Sequence, residues 1–75
     1  MALKFEIEKH IVTLGTNDKG WSKELNLVSW NDRKPKYDIR EWDEAHEKCG
    51  KGVTLTKEEF ENLVKGLKDI QLDSI

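Results

Sequence analysis

The sequence predicts an α+β domain in which four β-strands precede one C-terminal α-helix. Three observations support this class: polar and apolar residues alternate over most of the first 55 residues, a Pro-containing turn separates two alternating segments, and an apolar stripe with helical spacing follows. A chain of 75 residues corresponds to one domain. We expect strands at about 3–14, 21–30, 36–42 and 52–55, and a helix at about 57–70.

The first strand is predicted from Phe5 and Ile7, which alternate with charged residues. The apolar positions then change parity to Val12 and Leu14. A change of parity by one residue predicts a β-bulge, or a break into two short strands, around Glu8–His10. We expect the His10 side chain to face solvent, without a catalytic partner.

The second strand and the turn after it predict one half of a β-hairpin. In residues 21–30, Leu25 and Leu27 mark the side that faces the core. The segment 31–35 is a turn, because Pro35 cannot donate a hydrogen bond to a strand neighbour and the Asn and Asp before it tolerate tight backbone angles.

The third strand, residues 36–42, presents cations and an aromatic ring on the same face. If Ile39 faces the core, then Lys36, Arg40 and Trp42 share the opposite face. Cations beside an aromatic plane suit a ligand that carries both phosphates and flat bases. An edge strand with one solvated face is the alternative interpretation.

Basic and aromatic residues are concentrated in one region of an acidic chain. The net charge is -2, but residues 19–40 carry six basic and three acidic side chains, whereas residues 41–75 carry five lysines and nine acidic side chains. The basic region, extended to Trp42, holds four of the six aromatic residues. This distribution predicts a local surface for a polyanion. The alternative is that the basic side chains of the hairpin are ordinary solvated surface residues without a ligand.

Catalytic and metal-binding patterns are weak. His46 and Cys49 are three residues apart, but one cysteine and two histidines cannot supply a thiolate-rich zinc site. Acidic residues such as Asp38 and Glu41 form no base–nucleophile pair. The sequence at 50–52, Gly-Lys-Gly, lacks the spacing of a phosphate-binding P-loop, although it would let a backbone approach a phosphate. We expect no enzyme activity, no metal and no cofactor.

The C-terminal helix is predicted from a capping box at Thr56 and Glu59. Gly66 within the helix would allow close approach of another element, including the same helix of a second chain. Since a domain this short buries only about 60% of its unfolded surface, we expect a homodimer. The residues expected at its interface share the apolar stripe of the helix: Phe60, Leu63, Leu67 and Ile70.

Cellular location is suggested only by absences. The chain has no apolar run of about 18 residues, which a membrane-spanning helix requires. Its start alternates polar and apolar residues, unlike a signal peptide. One cysteine fits a reducing compartment. We expect a cytoplasmic protein without a membrane partner, with association to the nucleoid as an option.

Three segments carry a resemblance to a known family: Gly20–Asn31, Lys36–Trp42 and Lys51–Thr56. Together they resemble the C-terminal domain of the transcriptional coactivator positive cofactor four, and most closely its bacterial, YdbC-like members. The resemblance implies a curved antiparallel sheet and a homodimer paired through the C-terminal helices. It also implies sequence-independent binding of single-stranded DNA, in transcription regulation or in replication and repair.

The resemblance also implies which residues contact the ligand. Family contacts correspond to Lys19, Trp21, Lys23, Arg40, Trp42, Lys51 and Gly52, and the basic and aromatic composition adds Trp30 and Lys36. The eukaryotic pattern has an extra aromatic residue just before the position of Trp42, so this ring can point in a different direction. Single-stranded RNA stays an alternative ligand, because stacking and phosphate contacts do not read the sugar. An extended peptide is the other alternative.

Overall fold

The computed structural model describes residues 4–74, which form four strands followed by one helix. The elements are β1 (Phe5–Thr16), β2 (Ser22–Trp30), β3 (Lys36–Trp42), β4 (Cys49–Leu55), α1 (Lys57–Lys68) and a short 3-10 turn (Leu72–Ser74). The strands form one antiparallel sheet in the order β1-β2-β3-β4. This confirms the predicted α+β class and element order. The predicted start of the first strand at Leu3 lies outside the described residues.

Strand β1 is irregular along its whole length. Its pairing with β2 shifts by one residue at three places, and the first of these, between Ile7 and Lys9, is the predicted bulge. Two further shifts, between His10 and Val12 and between Thr13 and Gly15, were not predicted. Each bulge adds a residue on one strand and increases the local twist.

His10 is exposed, as expected, but its side chain also contacts the neighbouring strand. The bulge before it places His10 opposite Asn26, with its Nδ1 atom 2.7 Å from the Asn26 Oδ1 atom. The His10 side chain nevertheless stays 49% exposed, because it lies on the edge strand. The inserted residue therefore turned this side chain to the same face as Asn26.

The sheet is strongly curved. Trp42 pairs with Ser22, which precedes Trp30 by eight positions in β2. Eight extended residues span about 26 Å. The Trp30 and Trp42 ring centroids are nevertheless only 6.3 Å apart, so both side chains converge on the inside of the curve. We call this the inner face, and the opposite side of the sheet, which carries Leu25 and Ile39, the outer face.

The deepest burial lies on the inner face, which corrects the predicted core side. Val28, Trp42, Asn26 and Asp38 have no exposed surface, whereas Leu25, Leu27 and Ile39 on the outer face are only half-buried. Curvature explains the difference, since inner-face side chains crowd together while the outer face is covered only by α1. The alternation correctly predicts which residues share a face, but not which face is more enclosed.

Helix α1 begins at the predicted capping box. The Thr56 side chain accepts a hydrogen bond from the Glu59 N–H at 3.1 Å, and the Thr56 N–H donates to Glu59 Oε1 at 2.8 Å. The helix ends at Lys68, two residues before the predicted end. Its main aromatic contact with the sheet is Phe60, which stacks on Tyr37 with ring centroids 3.8 Å apart. In the described part of the chain, no helix is long and apolar enough to cross a membrane.

Candidate nucleic-acid interface

Trp42 lies in the interior and not on an open groove. Its side chain has no exposed surface, and it packs between Phe5, at a centroid distance of 4.9 Å, and Trp30. The His46 ring also stacks on it, at a centroid distance of 6.0 Å. Because β1 curls over the inner face, the Phe5 ring covers one side of the Trp42 ring, tilted by 55° against it. The predicted stacking surface at Trp42 is therefore closed in this structure.

Arg40 is held in an ion pair. Its Nε and Nη2 atoms donate to Asp38 Oδ1 and Oδ2 at 2.7 and 2.8 Å, and its guanidinium carbon lies 4.6 Å from the Trp30 ring centroid. Asp38 also accepts a hydrogen bond from Thr54 at 2.9 Å. Burial would lower the pKa of Arg40, but the hydrogen bonds and charge of Asp38 outweigh it and raise the pKa. With 15% of its side chain exposed, Arg40 mainly organises the inner face.

Gly52 allows β3 and β4 to approach each other. It pairs with Arg40, and a β-carbon at this position would lie 2.3 Å from both the Arg40 Cβ atom and the carbonyl oxygen of Ile39. Atoms cannot approach this closely, so any side chain here would push the strands apart. The close approach of β3 and β4 therefore explains why position 52 requires a glycine.

The outer face carries an open groove with two lysines. Lys23 and Lys51 line it, and we call the whole lining the outer groove; its other residues are Ile39, Arg40, Glu41, Gly52 and Val53. Val53 is 50% exposed, so the floor is apolar and accessible. Glu41 pairs with Lys23 across β2 and β3, so one carboxylate lies among the cations.

Trp21 lies immediately before β2, two positions before Lys23 of the outer groove. The loop before it is fixed by Asn17, whose Oδ1 atom accepts hydrogen bonds from the N–H groups of Lys19 and Trp21 at 2.9 and 3.1 Å. Trp21 is half-buried, and within residues 4–74 its ring has no aromatic partner. Phe5, Trp30 and Trp42 contact one another on the inner face, and we call them the inner aromatic cluster. Trp21 is the one of the three tryptophans that lies outside this cluster.

The nine predicted site residues therefore separate into three groups. One group lies at the outer groove or in the loop before β2: Lys23, Lys51 and Gly52 line the groove, and Lys19 and Trp21 lie in the loop. A second lies in the interior: Trp30, Arg40 and Trp42. Lys36 is exposed at the first position of β3. It is five positions before Glu41, which corresponds to about 17 Å along an extended strand.

The sequence analysis missed a polar cluster on the inner face. Glu24 is 4% exposed and accepts hydrogen bonds from Ser22 and from Asn26 Nδ2 at 3.0 Å. The Nε2 atom of His46 is 2.8 Å from Glu24 Oε2, and His10 Nδ1 is 3.4 Å from Oε1. Burial would raise the pKa of Glu24, but the hydrogen bonds from Ser22, Asn26 and His46 outweigh it, so the pKa lies below its ordinary value.

No local pattern could have revealed this cluster. His46 comes from the β3–β4 loop, 22 residues from Glu24, and reaches it with a positive φ of 59°. The loop is held by Asp43, whose Oδ1 atom accepts N–H groups of Glu47 and Lys48 at 2.8 and 3.0 Å. Within the described chain, no group of three or more His, Cys, Asp or Glu side chains has a metal-binding arrangement.

Comparison with known proteins shows which family the chain resembles. An uncharacterized protein of Treponema pallidum (strain Nichols) is 46% identical over 69 residues, which is 92% of this chain and 81% of that protein. A model of the family described as Transcriptional Coactivator p15 (PC4) matches residues 17–66, from the loop before β2 to the second half of α1. The chain therefore belongs to the transcriptional coactivator p15 (PC4) family.

Proposed function

We propose that this protein binds single-stranded DNA with little sequence preference. Its family of coactivator-like proteins supports a nucleic-acid ligand and a non-enzymatic role. The observation that carries the proposal is the outer groove, in which Lys23 and Lys51 border an apolar floor of Ile39 and Val53. The lysines suit phosphate groups, and the floor suits the faces of bases.

The apolar floor favours a single strand over a duplex. Paired bases hide their faces in the stack, so a duplex would bring only its phosphates to Lys23 and Lys51. Unpaired bases can lie against Ile39 and Val53 and can stack on Trp21. Such contacts tolerate any base, because every base has an aromatic face. They support a role in transcription regulation or in replication and repair, where DNA strands are separated.

We also propose that the functional unit is a homodimer. Helix α1 contains no buried residue, and its apolar side chains stay open to solvent, with Leu63 38% and Leu67 53% exposed; Ile70, just after the helix, is 46% exposed. Burying such side chains is worth about 25 cal/mol per Å² of apolar surface. A second copy that covers this face would supply burial that the single chain lacks.

Binding is tested by fluorescence anisotropy with labelled oligo-dT, oligo-U and a duplex of equal length. We expect oligo-dT to bind more tightly than the duplex. Lys23→Ala and Lys51→Ala should each weaken binding and reduce the slope of log K against log salt by roughly 0.7. The reason is that binding with one phosphate contact fewer releases fewer counterions from the nucleic acid. Lys65→Ala, on α1 and outside the outer groove, is the matched control and should leave the slope unchanged.

Four results would contradict the proposal. Equal affinity for duplex and oligo-dT would show that the apolar floor does not contact bases. Tighter binding of oligo-U would identify RNA as the ligand. Unchanged affinity in both Lys23→Ala and Lys51→Ala would place the binding surface elsewhere, and failure of all three nucleic acids to bind would favour the peptide-binding alternative.

A further inference from the structure

A second cavity adjoins the outer groove and shares two residues with it. The outer groove has a volume of about 330 Å³ and the neighbouring cavity about 260 Å³, and Lys23 and Glu41 line both. The second cavity is otherwise formed by residues 14–17, at the end of β1 and the start of the loop after it, where Leu14 is 55% exposed. One carboxylate therefore lies where the two cavities meet.

The Glu41 carboxylate is not neutralised by the lysines around it. Lys23 is its partner in the strand register, yet within residues 4–74 neither Lys23 nor Lys51 forms an ion pair with Glu41 at 4 Å or less. In this part of the chain its carboxylate accepts one long hydrogen bond, from Asn17 Nδ2 to Oε2 at 3.5 Å. Because Glu41 is only half-buried, its Oε1 atom can accept a hydrogen bond from a ligand, and both lysines stay available for phosphates.

The carboxylate is a neighbour of the apolar floor of the groove. Ile39 and Glu41 are two positions apart in β3, so their side chains share the outer face about 7 Å apart along the strand. Ile39 pairs with Val53 in β4, and these two side chains form the floor. A base that lies flat on the floor therefore brings one of its edges within reach of Glu41.

A carboxylate at this position acts differently on different bases. An ionised carboxylate only accepts hydrogen bonds, so it attracts a base edge that carries N–H donors and repels one that carries carbonyl oxygens. Cytosine offers its N4 amino group, which Glu and Asp side chains recognise, whereas thymine presents the O4 oxygen at the same place. The charge also repels phosphates, so a thymine strand meets the repulsion without a compensating hydrogen bond.

We propose that Glu41 reads the base on the apolar floor and gives the outer groove a preference for cytosine over thymine. This rests on the single-stranded DNA binding proposed above. We expect a difference in affinity of about fivefold, the low end for one such base contact, because Glu41 is partly exposed to water. Proteins that recognise a defined sequence discriminate by about 10³–10⁷-fold, so this preference still allows binding of most single strands.

Competition against labelled oligo-dT, followed by fluorescence anisotropy, measures the preference. Unlabelled oligo-dC, oligo-dT and oligo-dU of equal length are compared at a mildly alkaline pH, where cytosine carries no charge. Oligo-dU lacks the methyl group of thymine, so its comparison with oligo-dC isolates the exchange of the amino group for a carbonyl oxygen. We expect oligo-dC to bind about fivefold more tightly than both other strands.

Glu41→Ala should abolish the preference. Its affinity for oligo-dT should stay the same or rise, because a negative charge has left the groove. Glu41→Gln is the variant of unchanged size: its amide oxygen accepts from cytosine N4 and its NH₂ group donates to thymine O4, so it should also lose the preference. Glu58→Ala, exposed on α1 and outside the outer groove, is the matched control and should keep the full difference between oligo-dC and oligo-dT.

The outcomes separate base reading from strand binding. If the unchanged protein binds oligo-dC no more tightly than oligo-dT and oligo-dU, the role of Glu41 is overturned and the single-stranded DNA binding stays intact. A cytosine preference that persists in both Glu41 variants would assign the reading to another residue and would also overturn the proposal. Failure of all three strands to bind the unchanged protein would overturn both proposals.

Discussion

Replacing Trp42 by alanine should remove a large part of the protein's free energy of unfolding and should weaken ligand binding only through that loss of stability. The Trp42 ring has no exposed surface and contacts Phe5 and Trp30 in the inner aromatic cluster. Deleting a buried tryptophan costs about 3–5 kcal/mol through lost burial and the cavity left behind. A chain of 75 residues has a free energy of unfolding of about 4–11 kcal/mol at the usual 0.05–0.15 kcal/mol per residue.

The assay is urea unfolding followed by far-UV circular dichroism. Trp42→Ala and the unchanged protein are compared at one protein concentration, because the stability of a dimer depends on concentration. Trp42→Phe is the matched variant: it keeps an aromatic ring and removes an indole N–H that has no hydrogen-bond partner within the described residues. It should lose much less stability than Trp42→Ala.

Trp21→Ala supplies the contrast. The Trp21 ring is half-buried and outside the inner cluster, so its loss should change the unfolding midpoint little and weaken oligo-dT binding by about 1–3 kcal/mol, the usual worth of stacking one base. The reasoning would be refuted if Trp42→Ala kept the midpoint of the unchanged protein and lost oligo-dT affinity. That result would show Trp42 to be an open stacking surface.

Three further predictions concern the inner face and the glycine beside it. Gly52→Ala should destabilise the fold by about 1–3 kcal/mol in urea unfolding, because the added carbon meets the backbone of β3; an unchanged midpoint would contradict the close approach. Asp38→Ala should cost about 3–5 kcal/mol, since it leaves Arg40 buried without its counter-charge, and Asp38→Ala combined with Arg40→Met should recover part of this loss. The pKa of Glu24 lies below its ordinary value of 4.5, so ionised Glu24 stabilises the folded state above pH 4.5. This stabilisation should be lost as the pH falls through the lowered pKa of Glu24. In Glu24→Gln, the stability measured in acid unfolding should therefore show a weaker dependence on pH in this range.

Local sequence signals predicted the elements of the fold, whereas the burial of the site depended on distant residues. The capping box at Thr56 and the apolar stripe after it are contained within a few turns of chain, so α1 was predictable. Alternation also placed Arg40 and Trp42 on one face. It could not show that Phe5, 37 positions before Trp42, would cover that face once three bulges had curled β1.

The same limit applies to the polar cluster and to the groove. His46 reaches Glu24 with a positive φ, which is uncommon for a residue other than glycine. No pattern in the neighbouring sequence predicts this conformation. Ile39 was predicted as a core residue, yet it lines the open groove, because α1 is too short to cover the whole outer face. Strand parity fixes neighbours on a face, while helix length and sheet curvature decide what covers them.

The bulges of β1 have a consequence for how the sheet meets other chains. A long, flat edge strand offers its free N–H and C=O groups as a template on which a foreign strand can add, which leads to aggregation. Three register shifts within the 12 residues of β1 break that template into fragments too short to pair. The other edge, β4, carries Lys51, and a charged lysine on an edge strand discourages strand addition. The two edges of this sheet are therefore protected against addition of a foreign strand in different ways.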